Sequence, residues 1–227
     1  MRAFLGALGF FSTLPLGRDE KSYEALRRNL WILPIVGTIL GVTMSLPIYL
    51  LYRIHLPFMA VFVYLALEGI NHIDALADFG DALFAPPHRK LKALKDTNTG
   101  VGGTVAIVLY LLGLVSAFER QVSLATIVDA QTMAKFGMLI MLTTTKPLWD
   151  GLGSHMMEFA RLWHLILGSA FVLLITWLTG SWIVNTVAIL VCLAYRYYVM
   201  RTFGGVNGDL IGAINCITFW LVMTIGN

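Results

Sequence analysis

Long apolar runs separated by short polar segments make up most of this chain. A helix that crosses a bilayer needs about 17–25 mostly apolar residues, and the candidate spans are Leu30–Tyr52, Pro57–His72, Val101–Phe118, Leu124–Thr145, Leu162–Thr179, Trp182–Val199 and Leu210–Ile225. The second is short unless its helix continues into the polar segment that follows. An earlier stretch, Phe4–Leu14, predicts an interfacial or re-entrant helix. The pattern therefore predicts an all-α, polytopic membrane bundle of about seven transmembrane helices, with residues 1–227 forming a single domain.

Composition supports a membrane protein. Hydrophobic residues make up 58% of the chain and charged residues 13%, against about 25% charged residues in soluble domains. The two cysteines, Cys192 and Cys216, stand far apart in apolar surroundings, which argues against a disulfide framework or a zinc site. The N-terminus has a basic start and an apolar run but no convincing cleavage site, so we expect it to remain in the mature chain.

Lysine and arginine are concentrated in alternate loops. When the predicted spans are threaded in order, one side of the membrane receives Arg18, Lys21, Arg27, Arg28, Arg89, Lys90, Lys92, Lys95, Lys146, Arg161, Arg196 and Arg201. The opposite side receives Arg53 and Arg120. Because basic loops stay on the cytoplasmic side, the sequence predicts a cell-membrane protein with its polar site at the cytoplasmic face. Transporters more often place functional polar groups near the bilayer midplane, so this distribution favours a membrane enzyme.

An acidic segment, NHIDALADFGDAL, follows the second span. Asn71, Asp74, Asp78 and Asp81 are spaced to lie on one face of a helix. Carboxylates crowded at a membrane interface repel one another and would recruit a cation, and oxygen ligands favour Mg²⁺ or Mn²⁺ over zinc. Because Mg²⁺ leaves positions for phosphate oxygens, this face predicts a phosphate-handling metal site on Asp74, Asp78 and Asp81. Solvated carboxylates, or ion pairs with loop lysines, are the structural alternative.

Two glycine-rich turns precede later spans. In the first, KLKALKDTNTGVGG, Lys95 and Asp96 stand before Gly100, Gly102 and Gly103. Glycines let backbone N–H groups approach phosphate oxygens at the start of a helix. A basic membrane anchor at Lys95 and ordinary helix glycines are the alternative.

The second turn, RTFGGVNGDLIGAIN, contains Gly205, Asn207 and Asp209 just before the last span. Such a turn suits a phosphate, a ribose or a further metal ligand. It suits equally an interhelical turn in which Asn207 or Asp209 caps the final helix. The spacing does not favour either interpretation.

Ionisable residues inside apolar runs are additional candidates, because charged groups are costly in a membrane. Glu68 and His72 are four residues apart, so they can pair across one helical turn. Asp129 and Lys135 are six apart and do not share a face of a regular helix. Each of these two is therefore expected to find its partner on another helix.

Taken together, the motifs resemble those of the cobalamin synthase family, the integral-membrane adenosylcobinamide-GDP ribazoletransferases. The family patterns H-L-D-G-L-A-D-x-x-D-G, M-K-D-x-x-x-G-x-x-G and G-G-x-T-G-D-x-x-G-A correspond to HIDALADFGDA, LKDTNTGVGG and GGVNGDLIGA. The early FFSTLPLG also fits, and the resemblance covers nearly the whole chain. Ala75 and Ala82 stand where the family usually has glycine, whereas the aspartates are retained.

The resemblance implies a catalytic domain that uses Mg²⁺ to transfer adenosylcobinamide phosphate from adenosylcobinamide-GDP to α-ribazole or its 5′-phosphate, with release of GMP. It implies catalytic roles for Asp74, Asp78, Asp81, Lys95 and Asp96, of which the first three are candidate metal ligands and Asp81 is alternatively the base. Substrate contacts are expected from Asn71, His72, Gly100, Gly102, Gly103, Gly205, Asn207 and Asp209.

Other functions stay open at this point. A CDP-alcohol phosphotransferase would use similar chemistry, but its signature D-G-x-x-A-R has no counterpart after Asp74. A cation transporter could use the aspartates as an ion path, and an inactive assembly subunit is a third alternative. The expected partners are a corrinoid nucleotide, α-ribazole and the lipid bilayer, without nucleic acid, and the chain could act as a homo-oligomer or within a biosynthetic complex.

Overall fold

A computed structural model describes residues 1–226, and Asn227 lies outside the described part. The chain forms the helices α1 (Arg2–Phe11), α2 (Glu20–Arg27), α3 (Leu33–Arg53), α4 (Ala60–Glu68), α5 (Asn71–Phe84), α6 (Lys90–Ala93), α7 (Val101–Glu119), α8 (Leu124–Thr144), α9 (Leu152–Met157), α10 (Leu162–Thr179), α11 (Trp182–Phe203) and α12 (Gly208–Ile225). Short 3₁₀ turns precede α3, α4 and α6. Within residues 1–226 the extended structure amounts to one bridge between Pro147 and Val206.

The predicted membrane bundle is confirmed. Six segments are long and apolar enough to cross a bilayer, namely α3 with its preceding turn, α7, α8, α10, α11 and α12, and the bent pair α4–α5 gives a seventh when it is taken as one span. The helix ends lie within a few residues of the predicted bounds, because each apolar run is long enough for one spanning helix. The predicted stretch Phe4–Leu14 overlaps a short apolar helix, α1, which begins at Arg2 and ends at Phe11.

α8 forms the centre of the bundle. It is buried almost without interruption from Thr126 to Leu142, and α3, α10 and α12 pack around it. The outer helices α7, α10 and α11 instead expose large apolar side chains such as Ile166 and Ile183. Exposed apolar faces of this kind are suited to contact with lipid chains.

The predicted course of the second span, Pro57–His72, is wrong. α4 ends at Glu68, and α5 leaves it at an angle of 99°. Gly69 forms the break with a φ of 78°, a left-handed conformation that glycine adopts without a steric penalty. α5 then packs against α7 and α12, so the acidic segment lies across two neighbouring helices instead of extending the span.

The end of α1 is attached to this break. The Thr13 backbone N–H donates to the carbonyl of Leu67 at 2.8 Å, and the Thr13 hydroxyl donates to the carbonyl of Ala66 at 2.5 Å. Carbonyls in the last turn of a helix lack partners within the helix. Thr13 therefore satisfies the final turn of α4, and the N-terminal segment becomes part of the fold around the acidic helix.

The loops rich in lysine and arginine meet at one end of the bundle, which we call the basic end. The Val206 N–H donates to the carbonyl of Lys146 at 2.8 Å, which joins the loops that follow α8 and α11. The Lys90 ammonium donates to the hydroxyl of Tyr198 at 3.0 Å, which attaches the start of α6 to α11. These contacts confirm that the loops assigned to one side of the membrane lie together.

Candidate active site

A cavity of about 560 Å³ lies at the basic end of the bundle. Its polar lining combines two of the predicted motifs, with Asn71, His72 and Asp74 from α5 and Asn207 and Asp209 from the start of α12. The crossing of α5 over α12 is what brings these distant segments together. The structure therefore places five of the sequence-predicted residues in one cavity.

The acidic face of α5 (Asn71, Asp74, Asp78 and Asp81) has the predicted arrangement on a continuous helix. Asn71 and Asp74 are exposed, and Asp78 and Asp81 are half-buried. The residues between them, from His72 to Ala82, are otherwise buried against the bundle. The helix thus turns one polar line away from its packed side, as the spacing predicts.

Asp78 is half-buried and lies near three other carboxylates. These are the carboxylates of Asp209, Asp74 and Asp81, whose negative charges repel that of Asp78. Within residues 1–226, none of these four carboxylates forms an ion pair with lysine, arginine or histidine. Ion pairing with loop lysines, the alternative left by the sequence, therefore does not account for the cluster.

Asp81 differs from the other acidic residues because backbone groups bind both of its oxygens. Gly100 N–H donates to Oδ2 at 2.6 Å, and Gly103 N–H donates to Oδ1 at 2.8 Å. A Cβ built on Gly103 would lie 2.7 Å from Oδ2, so the glycine allows this close approach. Asp81 therefore accepts hydrogen bonds from two N–H groups at the start of α7. Gly102 packs against Gly80 where α7 crosses α5.

Lys95 and Asp96 lie in the exposed loop between α6 and α7. The Lys95 ammonium stands over the ring of Trp149 at 4.6 Å, and Trp149 lines the cavity. Asp96 instead accepts hydrogen bonds from the side chain and backbone N–H of Asn98, which lower the pKa of the Asp96 carboxyl. Lys95 thus lies beside the cavity, whereas Asp96 is engaged in its own loop.

The second glycine-rich turn has two roles at once. Asn207 caps α12 by accepting the N–H of Leu210 at 3.1 Å, and its amide donates to Asp209 Oδ2 at 2.6 Å. Both side chains also line the cavity. Gly205 lies behind them, packed against the backbone of Lys146, so it shapes the turn without lining the cavity.

The sequence comparisons place this site in a known family. A family model described as cobalamin-5-phosphate synthase matches residues 3–226. Two proteins of Archaeoglobus fulgidus named adenosylcobinamide-GDP ribazoletransferase are 45% and 40% identical, with 94% and 96% of this chain and 91% and 94% of the relatives covered. A protein of the same name from Thermococcus onnurineus is 36% identical, with 93% of this chain and 91% of its own length covered.

The chain belongs to the cobalamin-5-phosphate synthase family. It is therefore a transferase of cobalamin biosynthesis and a multi-pass membrane protein. This membership favours the enzyme over the transporter among the functions left open by the sequence. No solved structure matches the chain.

A departure from the family pattern is accommodated by the opposite helix. Ala75 stands where a glycine is usual, and its Cβ packs against Gly212 of α12. A Cβ on Gly212 would lie 2.5 Å from the Ala75 methyl, too close for two ordinary side chains. The missing glycine of α5 therefore does not prevent the close approach of α5 and α12, because Gly212 provides the space.

Much of the cavity wall was not predicted. Phe10 and Phe11 from α1, Met138 from α8, and Trp149 and Ser154 around α9 all line it. None belongs to the acidic segment or to the two glycine-rich turns, and the apolar members resemble ordinary core residues in sequence. The nearest signal was the FFST stretch of the family pattern, which contains Phe10 and Phe11.

The ionisable residues that the sequence places inside apolar runs fall into two separate groups. Asp129 accepts from Ser181 at 2.6 Å and from Asn185 at 3.3 Å, and so secures the turn between α10 and α11. Lys135 pairs with Glu68 of α4. Both find partners on other helices, as expected. Glu68 also lies 3.8 Å from Nδ1 of His72. The two residues approach each other across the break between α4 and α5, whereas the spacing predicted a pair across one turn of a single helix.

The Mg²⁺ expected from the family has a partial donor set here. Within residues 1–226, no group of three histidine, cysteine or acidic side chains converges closely enough to form a ready metal site. Asp74, Asp78 and Asp209 nevertheless provide carboxylates without a cationic partner beside the cavity. This chemistry fits a magnesium ion, which is commonly held by one or two carboxylates together with substrate phosphates and water.

Proposed function

We propose that this chain transfers the adenosylcobinamide-phosphate group from adenosylcobinamide-GDP to α-ribazole or its 5′-phosphate, and releases GMP. A ribose hydroxyl attacks the corrinoid-side phosphorus, the new P–O ester bond forms, and the bond to the bridging oxygen of GMP breaks. The hydroxyl proton passes to a base on the protein. The observation that carries the proposal is the joining of Asp74 and Asp209 in one cavity of a chain whose relatives bear this enzyme name.

Asp74 and Asp78 are the residues that we propose to hold Mg²⁺. The ion would supply neutralisation of the charge that develops on the diphosphate. Asp81 was an expected third ligand, but both of its oxygens already accept backbone N–H groups. In this proposal Asp81 instead holds α5 against α7 and so keeps the other two carboxylates in place.

Asp209 is the proposed acceptor of the hydroxyl proton. Its carboxylate lines the cavity opposite α5, and the amide of Asn207 fixes it through Oδ2 at 2.6 Å. A general base must be held within hydrogen-bond reach of the attacking group, and this hydrogen bond limits the rotation of the side chain. Lys95, beside Trp149, is placed to attract the anionic diphosphate towards the cavity.

The basic end is proposed to face the cytoplasm of the cell membrane. The loops that meet there carry most of the lysine and arginine residues, which favours the cytoplasmic side. The nucleotide substrate would then reach the cavity from the cytosol without crossing the bilayer.

A reconstituted assay tests the reaction directly. The purified protein in lipid is given adenosylcobinamide-GDP, α-ribazole and Mg²⁺, and the products are identified by mass. We expect GMP and adenosylcobalamin to appear in equal amounts, and neither to form when one substrate is omitted. GMP release without α-ribazole at the full rate would contradict the transfer and indicate hydrolysis, and metal flux into empty vesicles without nucleotide would indicate a transporter.

A further inference from the structure

A buried charged cluster lies directly beside the break between α4 and α5. Glu68 is 3% exposed and Lys135 is fully buried. The Lys135 ammonium donates to Glu68 Oε1 and, at 2.8 Å, to Asn215 Oδ1. Asn215 Nδ2 donates to the same Glu68 oxygen at 2.8 Å, and Gln131 Nε2 donates to the other at 3.3 Å.

This cluster connects the helices that form the site. Glu68 is the last residue of α4, Lys135 lies in the middle of α8, and Asn215 lies on α12. Glu68 Oε1 is also 3.8 Å from Nδ1 of His72, which lies in the first turn of α5. The charged pair is thus in contact with both sides of the bend, while His72 itself lines the cavity.

Stability alone is a poor explanation for such a cluster. Taking two charges out of water carries a desolvation penalty, and well-packed apolar residues of the same volume are often as stable as a buried ion pair. Charged residues within membrane segments are usually retained for a functional reason. The reason suggested by this fold is geometric, because Gly69 at the bend has no side chain of its own to fix the angle between the helices.

We propose that Lys135 is a positioning residue that acts through Glu68 to fix the bend between α4 and α5, and thereby orients Asn71 and Asp74 towards the cavity. Lys135 reaches the bend from the central helix, which is the most deeply buried element of the bundle. Asn215 makes the same arrangement depend on α12, the helix that carries Asp209. The orientations of α5 and α12, which carry the carboxylates of the cavity, therefore both depend on contacts with Lys135.

Asp129 provides a matched control. It lies on the same helix as Lys135, is 1% exposed, and is likewise held by side chains of other helices. Its partners belong to the turn between α10 and α11, away from the cavity. If the loss of any buried charge disturbed the bundle, variants of both residues would change the orientation of α5. A positioning role predicts this change for the Lys135 variant alone.

Spin labels can measure the orientation of α5 without any reaction. We suggest labels at Phe84, the exposed end of α5, and at Ile183, an exposed residue of α11. The native Cys192 and Cys216 are fully buried, so introduced cysteines should react selectively. A rotation of about 10° at the bend would move the far end of α5, about 21 Å away at 1.5 Å per residue, by about 3–4 Å.

The expected result is a shifted or broadened distance distribution in Lys135→Met and an unchanged distribution in Asp129→Asn. Because Lys135→Met leaves the Glu68 charge unpaired and can fail to fold, Glu68→Gln combined with Lys135→Met is measured as well. A folded double variant with the wild-type distribution would overturn the proposal. Failure of the double variant to fold, while Asp129→Asn folds, would also overturn it, because the pair would then be required by the whole bundle.

The kinetic readout rests on the proposed function. In the transfer assay, we expect the folded double variant to lower kcat by about 10–100-fold, as misplacement of catalytic groups does, with KM for the corrinoid nucleotide within about threefold of wild type. Asp129→Asn should retain wild-type kcat at a temperature where it is folded. An equal loss in both variants would contradict positioning, whereas a wild-type protein inactive in this assay would refute the proposed reaction and leave the distance measurement valid.

Discussion

The two ends of the acidic helix carry the same kind of side chain in different surroundings. At its start, Asp74 lines a cavity and forms no ion pair within residues 1–226. Two turns later, both oxygens of Asp81 accept backbone N–H groups at the start of α7, from Gly100 just before the helix and from Gly103 in its first turn. The spacing of these carboxylates puts them on one face, but the neighbouring helix decides which remains available to a ligand and which holds two helices together.

The strongest test of this comparison is the neutralisation of Asp74. Asp74→Asn should lower kcat of the transfer reaction by about 10²–10³-fold, the usual cost of removing one electrostatic contribution to a transition state. Because the Asp74 side chain is exposed and forms no ion pair within residues 1–226, the unfolding midpoint in detergent should stay close to that of wild type. Wild-type turnover by this variant would remove Asp74 from the site.

A metal-binding measurement separates the two acidic positions without turnover. Titration with Mn²⁺, followed by electron paramagnetic resonance, should show an affinity about 10–100-fold lower in Asp78→Asn, equivalent to about 1.5–3 kcal/mol for one charge-assisted interaction. Asp81→Asn should bind Mn²⁺ within about threefold of wild type. The reverse order of affinities would make Asp81 the ligand and contradict the structural role given to it here.

Replacement of Asp81, which holds α5 against α7, should lower the stability of the fold. Asp81→Ala removes the acceptors for two N–H groups at the start of α7, and loss of such a cap costs about 1–2 kcal/mol. The free energy of unfolding in mixed micelles should fall by this amount. Glu119→Ala, an exposed acid at the other end of α7, is the control and should be neutral; equal stability of the two variants would show that the Asp81 contacts contribute nothing.

The smallest effect is expected at the edge of the cavity. Lys95→Ala should raise KM for adenosylcobinamide-GDP by about threefold and leave kcat unchanged, because an exposed cation contributes a modest and screened attraction. The difference should shrink at 1 M salt, where the Debye length is about 3 Å. Lys92→Ala, at an exposed position of the preceding helix α6, serves as the comparison, and an equal change in both variants would assign the effect to the general positive charge of this region.

The sequence predicted the helices well and their assembly less completely. Apolar runs of nearly constant length defined α3, α7, α8 and α10, because length and hydrophobicity decide membrane spans locally. The break at Gly69 was missed, since a single glycine in an apolar run is also compatible with a continuous helix. Glu68, charged and adjacent to it, was the signal that in retrospect marks the end of α4.

In the site, too, the sequence predicted local features better than contacts between distant segments. The polar face of α5 followed from its spacing, whereas the binding of Asp81 by Gly100 and Gly103 depends on a helix crossing that no local pattern encodes. The contribution of Phe10 from α1 likewise depends on the attachment of α1 to the end of α4 through Thr13. Contacts between distant segments therefore account for most of what sequence reasoning did not find.

The short fourth helix has a consequence for the surrounding lipid. Residues Pro57–Glu68 form the part of the bent pair that precedes the break, and they rise about 18 Å at 1.5 Å per residue. The hydrocarbon layer of a bilayer is about 30 Å thick. A segment this short suits a locally thinned membrane. The acyl-chain length of the lipid should therefore change the energetic cost of matching the bilayer to this protein.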